Sequence, residues 1–207
     1  MNQQNHDPKQ NISGDALLIQ SFINGDTGSF TQLVLLYKDS VYNLCYRLLE
    51  DRADAEDCAQ ETFIKVYRGL KGFKFQAAFK TWLYRIAVNT CKNKLASAAY
   101  RYRKRLVELD KPLTVEDGTV AFEIPDSSRS PESLFARKER EKAVLEAIGA
   151  LPPKEKILIV LCDIEETPYQ EISEITGLPL GTVKSKLARA RRRLRAKLEG
   201  VIDDEVF

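Results

Sequence analysis

The chain has 207 residues, 43% of them hydrophobic, and a formal net charge of +2. It is long enough to bury a core, and its positive charge is local rather than spread evenly. No run approaches the roughly 18 consecutive apolar residues of a membrane span, and the N-terminus lacks a signal-peptide pattern, so direct membrane insertion is not expected. Cys45, Cys58, Cys91 and Cys162 form no CxxC pair, and the single histidine is His6. Metal-site spacing is therefore missing, neither metal nor cofactor is expected, and buried thiols in a reducing cytoplasm are the expectation.

Residues 1–12 read as a polar, disordered tail. Asp15 to Phe22 predicts a short amphipathic helix, stopped by Asn24-Gly25-Asp26. A longer helix is expected from about Gly28 to Glu50, burying Phe30, Leu33, Val34, Tyr37, Val41, Leu44 and Leu48. The next runs from about Arg52 to Leu70 with Ala55, Ala59, Phe63, Val66 and Leu70 inward. Its acids (Asp54, Glu56, Asp57, Glu61) precede its bases (Lys65, Arg68), which suits the helix macrodipole. Gly69 and Gly72 end it, and Lys71 to Ala77 form a loop. A fourth helix is expected from about Ala78 to Leu95, followed by the basic patch 101–105. These elements form a first domain over residues 13–105.

From residue 106 to 131 the periodicity disappears, prolines and Gly118 punctuate the chain, and acids outnumber bases; this reads as a flexible linker. A second domain over 132–199 restarts at Ser130-Pro131 with a helix to about Gly149, and Pro152-Pro153 opens another. Thr167-Pro168 with Gln170 predicts a capping box, and Gly177 a left-handed helix end. After Pro179, Val183, Leu187, Ala190 and Leu194 recur at four, three and four residues, one apolar stripe. Lys184, Ser185, Ala188, Arg189 and Arg192 fall on the other side, and residues 184–197 hold eight bases and no acid. Two helices joined by a tight turn, the second basic on its free face, predict a helix-turn-helix that reads duplex DNA. Arg191, Arg192, Arg193 and Arg195 read as phosphate contacts or solvated charge. Residues 200–207 are a short acidic tail. The fold class is all-α, two helical domains joined by a linker.

The first domain has its own nucleic-acid features. Phe73, Phe75, Trp82, Tyr84 and Tyr100 lie among Lys71, Lys74, Lys80, Lys92 and Lys94, and aromatics interleaved with lysines suit unpaired bases. The bland alternative for Trp82 and Tyr84 is ordinary core. A stand-alone regulator would need a ligand pocket or a dimerising helix, and no segment is clearly spare for either. No nucleophile–base pair or phosphate-cradling Gly loop suggests an enzyme or a small-molecule substrate.

Three runs carry a family resemblance: Asp54-Ala-Glu-Asp-Cys-Ala-Gln-Glu-Thr-Phe63, Phe79-Lys-Thr-Trp-Leu-Tyr-Arg-Ile-Ala-Val-Asn89, and Gly181-Thr-Val-Lys-Ser-Lys-Leu-Ala-Arg-Ala-Arg191. In this order and spacing the chain resembles the extracytoplasmic-function sigma factors of bacterial RNA polymerase. The resemblance implies a cytoplasmic initiation subunit that binds core polymerase through the β′ clamp helices and the β flap. It also implies promoter DNA as a ligand and an anti-sigma factor as an inhibitory partner. The docking residues it implies are Asp54, Glu56, Asp57, Gln60, Glu61 and Phe63. Phe73 and Asn89 match positions lining a pocket for a base flipped from the −10 element, with Lys74, Phe75, Gln76, Trp82 and Lys92 beside them. Lys184, Ser185, Lys186, Arg189 and Arg192 correspond to the −35 reading helix, Lys186 nearer its flank. The acidic linker resembles the family's connector through the RNA exit path.

Overall fold

The structure, a computed structural model, describes residues 8–97 and 142–199, and every regular element among them is helical. The linker expected at 106–131 lies outside the described residues, as do the patch at 101–105, Tyr100, the restart at Ser130-Pro131 and residues 200–207. None of the described helices is long and apolar enough to cross a membrane.

Four helices build the first module: α1 (Pro8–Ile23), α2 (Thr27–Leu49), α3 (Arg52–Gly69) and α4 (Phe79–Ala96). Helix α1 begins earlier than its apolar pattern, so residues 8–12, expected as disordered tail, belong to it. Asp26 caps α2 by accepting from the Gly28 amide at 2.9 Å, and Asp51 caps α3 by accepting from the Asp54 amide at 2.8 Å. Each cap satisfies an amide the helix leaves unpaired. Helix α3 tightens into a 3-10 turn at Leu70–Gly72 rather than continuing through Leu70.

The expected stripe on α2 is inward, with Leu33, Tyr37, Val41, Leu44 and Leu48 buried and Phe30 and Val34 half-buried. It packs against Ala55, Cys58, Ala59 and Val66 of α3 and Leu83, Tyr84, Ala87 and Val88 of α4. Cys45, Cys58 and Cys91 are buried free thiols, one from each of these helices. The contact with Cys91, then burial, push the Cys58 thiol up; the contact with Cys45 and burial push the Cys91 thiol up, its contact with Cys58 opposing them in part. They stay protonated and behave as core.

The second module contains a helical segment, α5 (residues 142–149), then α6 (Pro153–Ile159), α7 (Tyr169–Thr176) and α8 (Leu180–Leu198). A wide π turn at Val160–Ile164 carries the chain from α6 towards α7. The capping box expected at Thr167 is not formed: α7 starts one residue later, after Pro168, with no side-chain cap. Thr167 instead is buried and its amide donates to the Leu161 carbonyl at 2.9 Å, just past the bond from the Glu165 amide to the Val160 carbonyl that closes the π turn. Gly177 does end α7 in the left-handed region (φ 73), where a Cβ is unfavourable.

The two modules touch. One buried apolar cluster runs from α1–α4 through Leu151 and Ile157–Leu161 to Ile172, Val183 and Leu187, and α4 packs directly on α7.

Candidate nucleic-acid interface

Helix α8 holds because its apolar residues recur at helical spacing and bury against α6 and α7. With Val183, Leu187 and Ala190 inward, Lys184, Ser185, Arg189 and Arg192 are all exposed on the free side. Lys186 is half-buried, on the flank. A rigid helix presenting bases and a hydroxyl in one row can offer donors to base edges and phosphates. The Ser185 hydroxyl donates back to the Thr182 carbonyl at 3.1 Å and keeps its acceptor lone pairs free to face a ligand.

Two arginines of the basic run point elsewhere. Arg191 donates to both oxygens of Asp163 in the π turn and to the Tyr169 hydroxyl, and Arg193 donates to Glu155 of α6 at 2.8 Å. Both side chains stay about half exposed, 47% and 54%, so each remains a solvated charge that also ties α8 to the helices behind it. Arg192 keeps the solvent-facing role.

On α3, Glu56, Asp57, Gln60 and Glu61 are exposed and Phe63 is half-buried. Asp54 differs. Its side chain is only 2% exposed and pairs with Lys94 of α4 at 2.8 Å. Grouping it with the docking acids is corrected, because a buried carboxylate cannot be presented to a large partner. Ile64 and Tyr67 are exposed apolar residues on the same helix, which the sequence reading missed. Their places in the repeat adjoin Gln60 and Phe63, and that adjacency was the available signal.

The loop after α3 gathers aromatic rings. Phe73 lies 4.9 Å from Phe75, 5.1 Å from Trp82 and 6.1 Å from Phe79, centroid to centroid. Phe79 is buried, Phe73 and Trp82 are half-buried, and Phe75, Lys74 and Gln76 are exposed. The cluster thus has a solid floor and one open ring, suited to stacking. Tyr84, by contrast, is core. Asn89 is exposed, two helical turns beyond Trp82. The cavity beside it, about 600 Å³, is lined by Arg85 and by residues Ser173 to Pro179 of the second module. Phe73 is not part of that lining. Lys92 is half-buried, and burial, then the charge of Lys154 nearby, hold its ammonium below the usual lysine range.

Comparison with known proteins agrees with this layout. The Sigma-70 region 2 family matches residues 33–109, and Sigma-70, region 4 matches residues 141–194. The RNA polymerase sigma-H factor of Pseudomonas aeruginosa is 36% identical over 191 residues, covering 91% of this chain and 95% of that protein. The ECF RNA polymerase sigma factor SigW of Bacillus subtilis is 36% identical over 181 residues, covering 87% and 94%. Among solved structures, CnrH in complex with the cytosolic domain of CnrY superposes with a TM-score of 0.62 at 22% identity, covering 90% of this chain and 98% of that one. The sigma factor RpoE bound to the anti-sigma factor NepR from Bartonella quintana gives 0.58 at 24% identity, covering 82% and 96%. A basic reading helix at one end, an aromatic loop over an acid-faced helix at the other, and both family matches in that order lead to one placement: the chain belongs to the extracytoplasmic-function sigma factors, the sigma-70-type subunits that direct bacterial RNA polymerase to promoters and start transcription without covalent chemistry of their own.

Proposed function

We propose the following division of labour among the residues. The exposed face of α3, with Glu56, Asp57, Gln60 and Glu61 and the apolar Phe63 and Ile64, docks on the β′ clamp helices of core polymerase, and the second module also meets the β flap. The outward row Lys184, Ser185, Arg189 and Arg192 enters the major groove at the −35 element, with Lys186 at its edge. Phe73, Phe75 and Trp82 stack on the separated −10 strand, while Lys74, Gln76, Asn89 and Lys92 hold its polar edges and phosphates. The domains divide at about residues 105 and 132, and the intervening connector follows the RNA exit path.

The observation that carries this reading is the exposed row on α8 backed by a buried stripe. Tethering two weak DNA contacts through one polymerase makes the second contact effectively intramolecular. The work is done in the cytoplasm, where polymerase and chromosome are. CnrH was solved with the cytosolic domain of CnrY and RpoE with the anti-sigma factor NepR, and the second complex supports an anti-sigma factor as a partner here. Run-off transcription with purified core polymerase tests the proposal: promoter-dependent transcripts are expected, and their complete absence on a genomic promoter library would overturn it.

A further inference from the structure

One face of α4 lies along the second module. Thr81, Tyr84, Arg85, Asn89 and Lys92 recur on it at helical spacing. Three of the five are matched across the contact. The Thr81 hydroxyl donates to Glu171 of α7 at 2.8 Å, and Arg85 Nε donates to the Glu174 carbonyl at 2.8 Å. The Tyr84 hydroxyl donates at 2.8 Å to Glu165, at the end of the π turn, and Glu165 also accepts from Arg47 of α2. The next two are not matched. The side chains of Asn89 and Lys92 have no hydrogen-bond or ion-pair partner among the described residues. Asn89 opens on the cavity of about 600 Å³, and Lys92, half-buried, feels the charge of Lys154 on α6. Lys154 is exposed and also has no acid partner among the described residues.

Unmatched donors and like charges at a contact call for an acceptor that the chain itself does not supply. Phosphate oxygens are such acceptors. Arg85, Lys92 and Lys154 set three positive charges against Glu174, the one acid among the residues lining the cavity. Helix α8 begins immediately after Pro179, another lining residue, so the positive end of its dipole lies at the same place. Leu178 and Pro179 give the cavity an apolar wall, and its volume is that of a small-molecule site. We propose that the junction of the two modules binds a nucleoside polyphosphate, its phosphates between Lys92 and Lys154 with Asn89 beside them, and its base on Leu178 and Pro179. The set is drawn from both modules, which suits a small ligand seated between them rather than a long strand laid along α4. The assignment goes beyond promoter recognition and does not depend on Asn89 serving the −10 strand. A ligand held by both modules together stabilises their contact by mass action.

The test uses the full chain without polymerase, titrated in a calorimeter with ATP, GTP and inorganic tripolyphosphate. Saturable binding of one nucleotide per chain is expected for ATP or GTP. Absence of saturation by either up to about 1 mM overturns the site. Tripolyphosphate lacks a base and is expected to bind about tenfold or more weakly; equal affinity overturns the nucleoside part of the assignment. Lys154→Glu supplies Lys92 with an acid and should lower nucleotide affinity about tenfold or more. Lys154 is exposed, so the fold should survive the change, as circular dichroism checks. Should it not, Lys154→Ala is put through the same titration with the same expected loss. Unchanged affinity in the folded variant overturns the placement of the phosphates. Arg189→Ala and Arg192→Ala, on the free face of α8, are expected to bind nucleotide as wild type does. A loss in either equal to that of the Lys154 variant would put the anion on the basic helix and overturn the junction site.

Discussion

Lys94 of α4 places its ammonium 2.8 Å from Asp54 Oδ1 and 3.6 Å from Asp57 Oδ2 of α3, so one lysine reaches both a buried and an exposed acid. The first contact holds the fold and the second lies at the docking face. Removing the partner of a buried charge costs about 3–5 kcal/mol, and somewhat less here because Lys94 itself reaches solvent. Asp54→Ala is therefore expected to lower the stability of the first module by about 2–4 kcal/mol in urea denaturation. Glu56→Ala and Gln60→Ala, both exposed, should leave stability within about 0.5 kcal/mol and weaken capture of core polymerase. An Asp54→Ala protein as stable as wild type would show that the pair contributes nothing net.

The Tyr37 hydroxyl donates to Asp15 Oδ2 at 2.6 Å, joining α2 to α1. Burial raises the Asp15 carboxyl above its ordinary value, and the tyrosine bond opposes that only in part. A raised folded-state pKa means the folded chain holds the proton more tightly than the unfolded one. The resulting stabilisation is fully present below the unfolded value of about 3.9 and is lost as pH rises through the higher folded value. Asn at this position accepts the same hydrogen bond and carries no charge. The stability of Asp15→Asn relative to wild type should therefore grow between about pH 4 and 7, measured by urea denaturation at each pH. A difference independent of pH would mean that Asp15 is not the group responsible.

The helices were legible wherever the contacts that make them are local. Leu33, Tyr37, Val41, Leu44 and Leu48 announce α2's buried face by their spacing, and Gly177 announces a helix end by its backbone freedom. Asp54 was misread although a signal existed: it stands four and eight residues before Cys58 and Thr62, and all three lie on α3's buried side. The docking role came from the family resemblance, whereas position in the repeat sets which side of the helix a residue occupies. The ties of Arg191 and Arg193 were not legible because their partners are 28 and 38 residues away. Glu165 left no trace at all. Its partners lie 118 and 81 residues earlier, and no periodicity within one helix encodes a contact between modules.

The arginines of α8 should separate into classes when assayed one by one on −35 duplex DNA. Arg189→Ala removes donors from the outward row and is expected to cost about 1–3 kcal/mol with a preference for particular base pairs. Arg192→Ala should weaken binding to all sequences alike and reduce the slope of log affinity against log salt by about one. Arg191→Ala instead removes the tie to Asp163 and Tyr169, so thermal stability of the second module should fall while the salt slope stays. An equal loss of salt slope for Arg191→Ala and Arg192→Ala would contradict the assignment of Arg191 to Asp163.

Phe75 stands in the left-handed region (φ 55) and is 47% exposed, a conformation and an exposure that neither side chain nor backbone favours. For a residue with a Cβ this backbone costs roughly 1–2 kcal/mol. The edge-on contact with Phe73, centroids 4.9 Å apart, returns about 0.5–1.5 kcal/mol. The two terms nearly offset, so stability alone does not account for a phenylalanine here. Phe75→Gly loses the ring and the strain together and should match wild-type stability within about 1 kcal/mol. Phe75→Ala loses the ring but keeps the Cβ, and should melt lower than Phe75→Gly. Both should impair promoter opening in the assembled polymerase, read by permanganate reactivity of −10 thymines, because a stacked base gains about 1–3 kcal/mol from an aromatic platform. If alanine proved as stable as glycine, the left-handed backbone would not be a constraint of the fold. If thymine reactivity were unaffected by either change, Phe75 would lie off the path of the separated strand, and Phe73 with Trp82 would have to provide the platform without it.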